Sequence, residues 1–162
     1  MILNDAQLDA QLLFDFKGII DEVSYKILQA LLESIEKEVY NAGIPQLYHR
    51  HRYAGGLLGS WEKSDAKILG QEVYSRIDSN LNMMVTYPDE FIHGSNHWVM
   101  DDIRELLAEI IIEGKSGPLF GEGFWTQPRD FWTPVIEMLT NGKVDKLIEN
   151  AMTTRGIIWR KF

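Results

Sequence analysis

The chain has 162 residues, 45% of them hydrophobic and 25% charged, enough for one well-filled core and too apolar for a disordered segment. Its formal net charge of -8 works against sequence-independent nucleic-acid binding, where affinity comes from Lys and Arg displacing counterions. Cysteine is absent, which excludes disulfides, thiolate metal sites and cysteine nucleophiles, and apolar runs such as Ile110-Ile111-Ile112 fall far short of the roughly 20 residues a membrane span needs. The opening Met1-Ile2-Leu3-Asn4-Asp5 has no basic region ahead of an apolar stretch and does not read as a secretion signal. A single domain over residues 1–162 is expected, with no internal repeat or low-complexity tract.

In chain order, residues 1–17 are mixed in pattern and read as a short helix or an arm. Ile20, Val23, Ile27, Leu31, Ile35 and Val39 then fall on one face at helical spacing, which predicts an amphipathic helix ended by Asn41-Ala42-Gly43 and Pro45. Residues 71–78 and 82–87 carry Val, Tyr, Ile and Thr and are expected to pair as a hairpin about Asp78-Ser79-Asn80, with Trp61 in a neighbouring strand. Asp101 or Asp102 caps a helix through Ile103, Leu106, Leu107, Ile110 and Ile111, which Gly114 stops. Residues 114–130 form a long glycine-rich loop, too long for a mere connection. A last helix opens near Thr133 with Pro134 in its first turn and runs through Val135, Met138, Leu139, Leu147 and Ile148, with Gly142 as an interruption. Ile157-Ile158-Trp159 adds an edge strand. The fold class is α+β: a long N-terminal helix and C-terminal helices packed on a small antiparallel sheet.

Candidate chemistry is sparse. His49 and His51 project to one side of an extended segment, and with His93 or His97 and Asp101 or Asp102 they have the donor types of a transition-metal site. Arg50 and Arg52 between them oppose cation binding, and scattered histidines are by default exposed or hydrogen-bonded. Gly114-Lys115-Ser116 resembles the end of a phosphate loop, but Glu109 stands where its first glycine belongs. Gly59-Ser60-Trp61 lacks the second glycine of a nucleophile elbow, so Ser60 is not read as a nucleophile. Glu109 and Glu113, one helical turn apart, read as a solvated face before they read as paired catalytic acids. The basic groups Arg50/Arg52 and Arg155/Arg160/Lys161 read as ordinary surface. Phe120, Phe124, Trp125, Phe131 and Trp132 cluster about the glycine loop, a composition suited to core or subunit interface.

Three elements in a fixed order carry a resemblance. They are Gly56-Leu57-Leu58-Gly59-Ser60-Trp61, then Glu113-Gly114, then Arg129-Asp130-Phe131-Trp132-Thr133-Pro134, flanked by the first helix and a closing helix. From residue 20 to residue 152 this order resembles the tail-component proteins of tailed phages and prophages, small proteins of tail completion or head-tail joining. The sequence departs from that pattern by a helical insertion over residues 99–112 and by Gly55 in place of a threonine.

The resemblance implies a structural virion protein rather than an enzyme, with no cofactor, metal or catalytic residue. It would assemble as a ring with other copies of itself and contact neighbouring connector and tail proteins, in the virion and, during assembly, in the host bacterial cytoplasm. Neither specific nucleic-acid binding nor a membrane is implied. The docking residues it suggests are Gly114, Phe120, Phe124, Trp125, Arg129, Phe131 and Trp132. Two other classes compete: a small enzyme with a histidine-carboxylate metal site on His49, His51 and His93, and a non-viral protein-binding module.

Overall fold

A computed structural model describes residues 4–42, 53–84, 104, 107–114 and 128–158. It is an α+β protein with a long N-terminal helix, C-terminal helices and two small antiparallel sheets.

Helix α1 spans Asp5–Ile35, so the stretch read as a short helix or an arm is helical from residue 5 onward and continuous with the predicted helix. The cause is a reciprocal cap. Asn4 Oδ1 accepts the Gln7 backbone N–H at 2.9 Å while Gln7 Oε1 accepts that of Asn4 at 3.1 Å, satisfying two amides that the first turn leaves without helical partners. Residues 4–11 are all exposed, and burial sets in only along the following turns, reaching completion at Ile19. The last turn widens into a π-helix, Glu36–Tyr40, closed by the Asn41 N–H donating to Glu36 O at 2.9 Å.

The strands are β1 Trp61–Lys63, β2 Lys67–Leu69, β3 Glu72–Tyr74 and β4 Ile77–Ser79, with β1 beside β4 and β2 beside β3. Trp61 is thus in a strand as expected, but the hairpin is displaced toward the N-terminus. It joins β2 to β3, with Leu69 opposite Glu72 across Gly70-Gln71. Gly70 takes φ +63 and Gln71 does not follow it into positive φ, the arrangement of a two-residue turn whose first central residue must be glycine. Asp78-Ser79-Asn80 makes no hairpin because Asn80 starts a 3-10 turn, Leu81–Met83: its side chain accepts the Asn82 N–H, and its own N–H donates to Ser60 O at 2.7 Å.

Helix α2 is Leu107–Glu113, and Gly114 ends it at φ +64. Helices α3, Thr133–Thr140, and α4, Lys143–Thr154, are separated at Gly142, whose φ of +79 no helix interior accommodates. The expected terminal strand is absent among the described residues: Ile157 packs against a core and Ile158 is 88% exposed.

Two compact units share the chain. The first comprises Met1–Ala30, Lys63–Asp78 and Val135–Phe162. Its core is Ile19 and Val23 from α1 with Ala151 and Met152 from α4, ringed by Phe16, Ile27, Val144, Leu147, Ile148 and Ile157. Arg155 lies over Gly18 and donates to Glu22 Oε2 at 3.1 Å and Ala151 O at 2.9 Å. Asp21 ties the same helix to the strand region. Its carboxylate accepts the Ala66 N–H at 2.6 Å and the ammonium groups of Lys17 and Lys63, each at 3.1 Å. The second unit comprises Leu31–Glu62 and Ser79–Pro134, with Leu31, Ile35, Val39, Leu57, Leu58, Met84, Ile111 and Phe131 buried.

Candidate functional site

The first and last elements of the ordered motif set meet within the second unit. Gly56-Leu57-Leu58-Gly59-Ser60-Trp61 folds as a 3-10 turn, Leu57–Ser60, leading straight into β1. Leu57 and Leu58 are buried, and the Ser60 hydroxyl donates to Leu57 O at 2.8 Å and lies 3.1 Å from the Ser79 hydroxyl. Ser60 is 1% exposed and held by these bonds, so its place is in the frame of the turn. Gly59 is dictated by crowding: a Cβ there would sit 1.5 Å from Tyr53 O. The Tyr40 hydroxyl accepts the Leu58 N–H at 3.5 Å, which ties the turn to the π-helical end of α1.

The last element, Arg129-Asp130-Phe131-Trp132-Thr133-Pro134, is the entry to α3. Asp130 Oδ1 accepts the backbone N–H groups of Trp132 at 3.0 Å and Thr133 at 2.8 Å, capping the helix at its electropositive end. A hydrogen bond from the Thr133 side chain, followed by the Thr133 and Trp132 backbone bonds, holds the Asp130 carboxyl below its ordinary value against the opposing effect of burial. Phe131 is fully buried, and its carbonyl accepts the buried Ser34 hydroxyl of α1 at 2.8 Å. The Arg129 N–H donates to Ile111 O at 2.9 Å, fastening the segment to α2.

Trp61 and Trp132 stack, with ring centroids 5.8 Å apart and planes at 29°, while Phe131 meets Trp132 edge-on at 6.5 Å and 85°. Aromatic contacts of these geometries add to the free energy of simple burial. The Trp61 indole N–H is buried without an acceptor among the described residues. Trp132 remains 38% exposed, so it packs on one side and faces solvent on the other.

The expected docking residues therefore separate. Trp132 is accessible, and Gly114 is half-buried at the end of α2. Phe131 is fully buried and Arg129 is 8% exposed, because the residues that fasten the segment to α1 and α2 face inward; they belong to the core rather than to an exposed docking set. Phe120, Phe124 and Trp125, and most of the 114–130 loop, lie outside the described residues. So do His49, His51, His93, His97, Asp101 and Asp102. Among the described residues no group of three or more His, Asp or Glu side chains stands ready to hold a metal, and no helix is long and apolar enough to cross a membrane. Glu109 and Glu113 are both exposed on α2.

Sequence reasoning missed the Trp61-Trp132 stack and the role of Asp130. The second was within reach, since an aspartate three residues before a helical Thr-Pro is a capping signal. The first was not, because nothing in either local pattern marks its distant partner.

The family described as YomN matches residues 4–154. No curated protein and no solved structure matches the chain.

Proposed function

The chain belongs to the YomN family, whose description names no activity, and within it we propose a structural role: a virion protein of a tailed phage or prophage, acting in tail completion or head-tail connection through ring-like self-assembly. The observation that supports this reading is the meeting of Gly56–Trp61 with Arg129–Pro134 through stacked Trp61 and Trp132. Two of the three motifs behind the resemblance to phage tail components are thereby parts of one packed unit. Leu57, Leu58, Gly59, Ser60, Asp130 and Phe131 in that unit are accounted for by packing, capping or turn geometry. An assembly protein needs such a frame, together with surfaces complementary to its own copies and its neighbours. Trp132, rigidly backed and half open to solvent, has the character of an interface anchor.

Deleting residues 115–127, or replacing Trp132 with Ala, in the phage that encodes the chain should leave heads and tails that fail to join, visible by electron microscopy. Normal, infectious virions from both variants would overturn the proposal. Elemental analysis of the purified protein separates the metal-enzyme alternative, since a stoichiometric metal would favour it.

A further inference from the structure

Helices α3 and α4 are joined by Asn141-Gly142, and of the seven asparagines in the chain Asn141 alone precedes a glycine. The pair is held in a specific arrangement. Asn141 is exposed, and its N–H donates to Glu137 O at 2.9 Å, which continues the helical path of α3. Gly142 then turns to φ +79 and ψ 8. The side chain of Asn141 folds forward over Gly142, so that its Oδ1 accepts the Lys143 N–H at 3.1 Å. That bond closes a turn from the side-chain carbonyl to the amide two residues on, with Gly142 spanned between them. Among the described residues beyond its chain neighbours, Asp145 Oδ2, at 3.9 Å, is the one atom within 4 Å of the position a Gly142 Cβ would take. Among the described residues, the Gly142 N–H has no hydrogen-bond acceptor.

We infer that Asn141 is a site of spontaneous deamidation in the folded protein. The Gly142 nitrogen gives up its proton to solvent base and bonds to the Asn141 side-chain carbonyl carbon. The Lys143 N–H meets the charge developing on Oδ1, as backbone donors do for an oxyanion. The carboxamide C–N bond breaks and ammonia leaves, closing a five-membered imide. Water then opens the imide at either carbonyl, giving aspartate or isoaspartate, and no electrons change hands. The aspartate product keeps an oxygen for the Lys143 N–H and adds a negative charge at the start of α4, where the helix dipole favours it. The isoaspartate product routes the main chain through the former side chain. It lengthens the join between α3 and α4 by one carbon, and so disturbs the seating of Val144, Leu147 and Ile148 around the first unit's core.

The test is incubation of the full purified chain at mildly alkaline pH, followed by peptide mapping with mass detection. A gain of about one dalton is expected on the peptide holding Asn141, divided between aspartate and isoaspartate, before any other asparagine changes. Asn141→Gln should abolish the gain while leaving the far-ultraviolet circular dichroism unchanged. The inference fails if Asn141 stays intact in the folded chain while a free Thr-Asn-Gly-Lys peptide converts in the same buffer. It fails equally if conversion appears only in urea, or proceeds no faster at Asn141 than elsewhere.

Discussion

Asp21 shows how one carboxylate fastens α1 to the strand region. Burial raises its pKa, but the Ala66 amide, hydrogen bonds from Lys17 and Lys63, and the charge of Lys63 together outweigh that and bring it from 3.8 to about 2. A folded-state value below the unfolded one means that the stabilisation is fully present above the unfolded pKa and disappears as pH falls from about 4 to about 2. The shift corresponds to about 2 kcal/mol. Asp21→Asn should therefore lower stability at neutral pH by about that amount and flatten the acid limb of a urea-midpoint-against-pH curve. Gly59 sets a harder limit. Because an added methyl group would overlap Tyr53 O, Gly59→Ala must move main chain, and a loss of about 3 kcal/mol or more is expected by chemical denaturation. Neither constraint was legible beforehand. Asp21 looks like any charged helix residue, and Gly59 takes no special φ that a turn motif would announce.

Among the elements, two caps of similar chemistry should have different consequences. Asp130 caps a helix whose first turn holds buried Val135 and which follows directly on buried Phe131, so Asp130→Ala should cost about 1 kcal/mol of global stability. Asn4 caps turns of α1 that are exposed throughout, so Asn4→Ala should leave the unfolding midpoint nearly unchanged and instead speed amide exchange over residues 6–11. Helical periodicity made residues 20–39, the stop at Gly114, the Pro134 start and the Gly142 break readable. It could not reveal the earlier turns of α1, where the decisive signal is the Asn4-Gln7 pair and not an apolar stripe. The strands escaped for a related reason. At three residues each, their alternation is too brief to fix register, and the glycine at position 70, not the Asp78-Ser79-Asn80 cluster, decides where the hairpin turns.

For the whole molecule, the α+β class was readable from the order of helical and strand-like segments, whereas the division into two units was not, since it depends on contacts between distant stretches. The first unit is drawn from three separated segments, and its core joins α1 to α4. Neither Ile19 nor Val23 has its full cover until residue 152 is in place. A chain truncated after Asn141 should bind a hydrophobic dye and yield to protease where the full chain resists. The same interleaving has a consequence for biosynthesis. As the chain leaves the ribosome, α1 emerges before α4 and must wait with part of its apolar stripe uncovered until α4 has been made, which exposes the nascent chain to aggregation. Its yield should depend on elongation rate and chaperone supply more steeply than its finished stability would suggest.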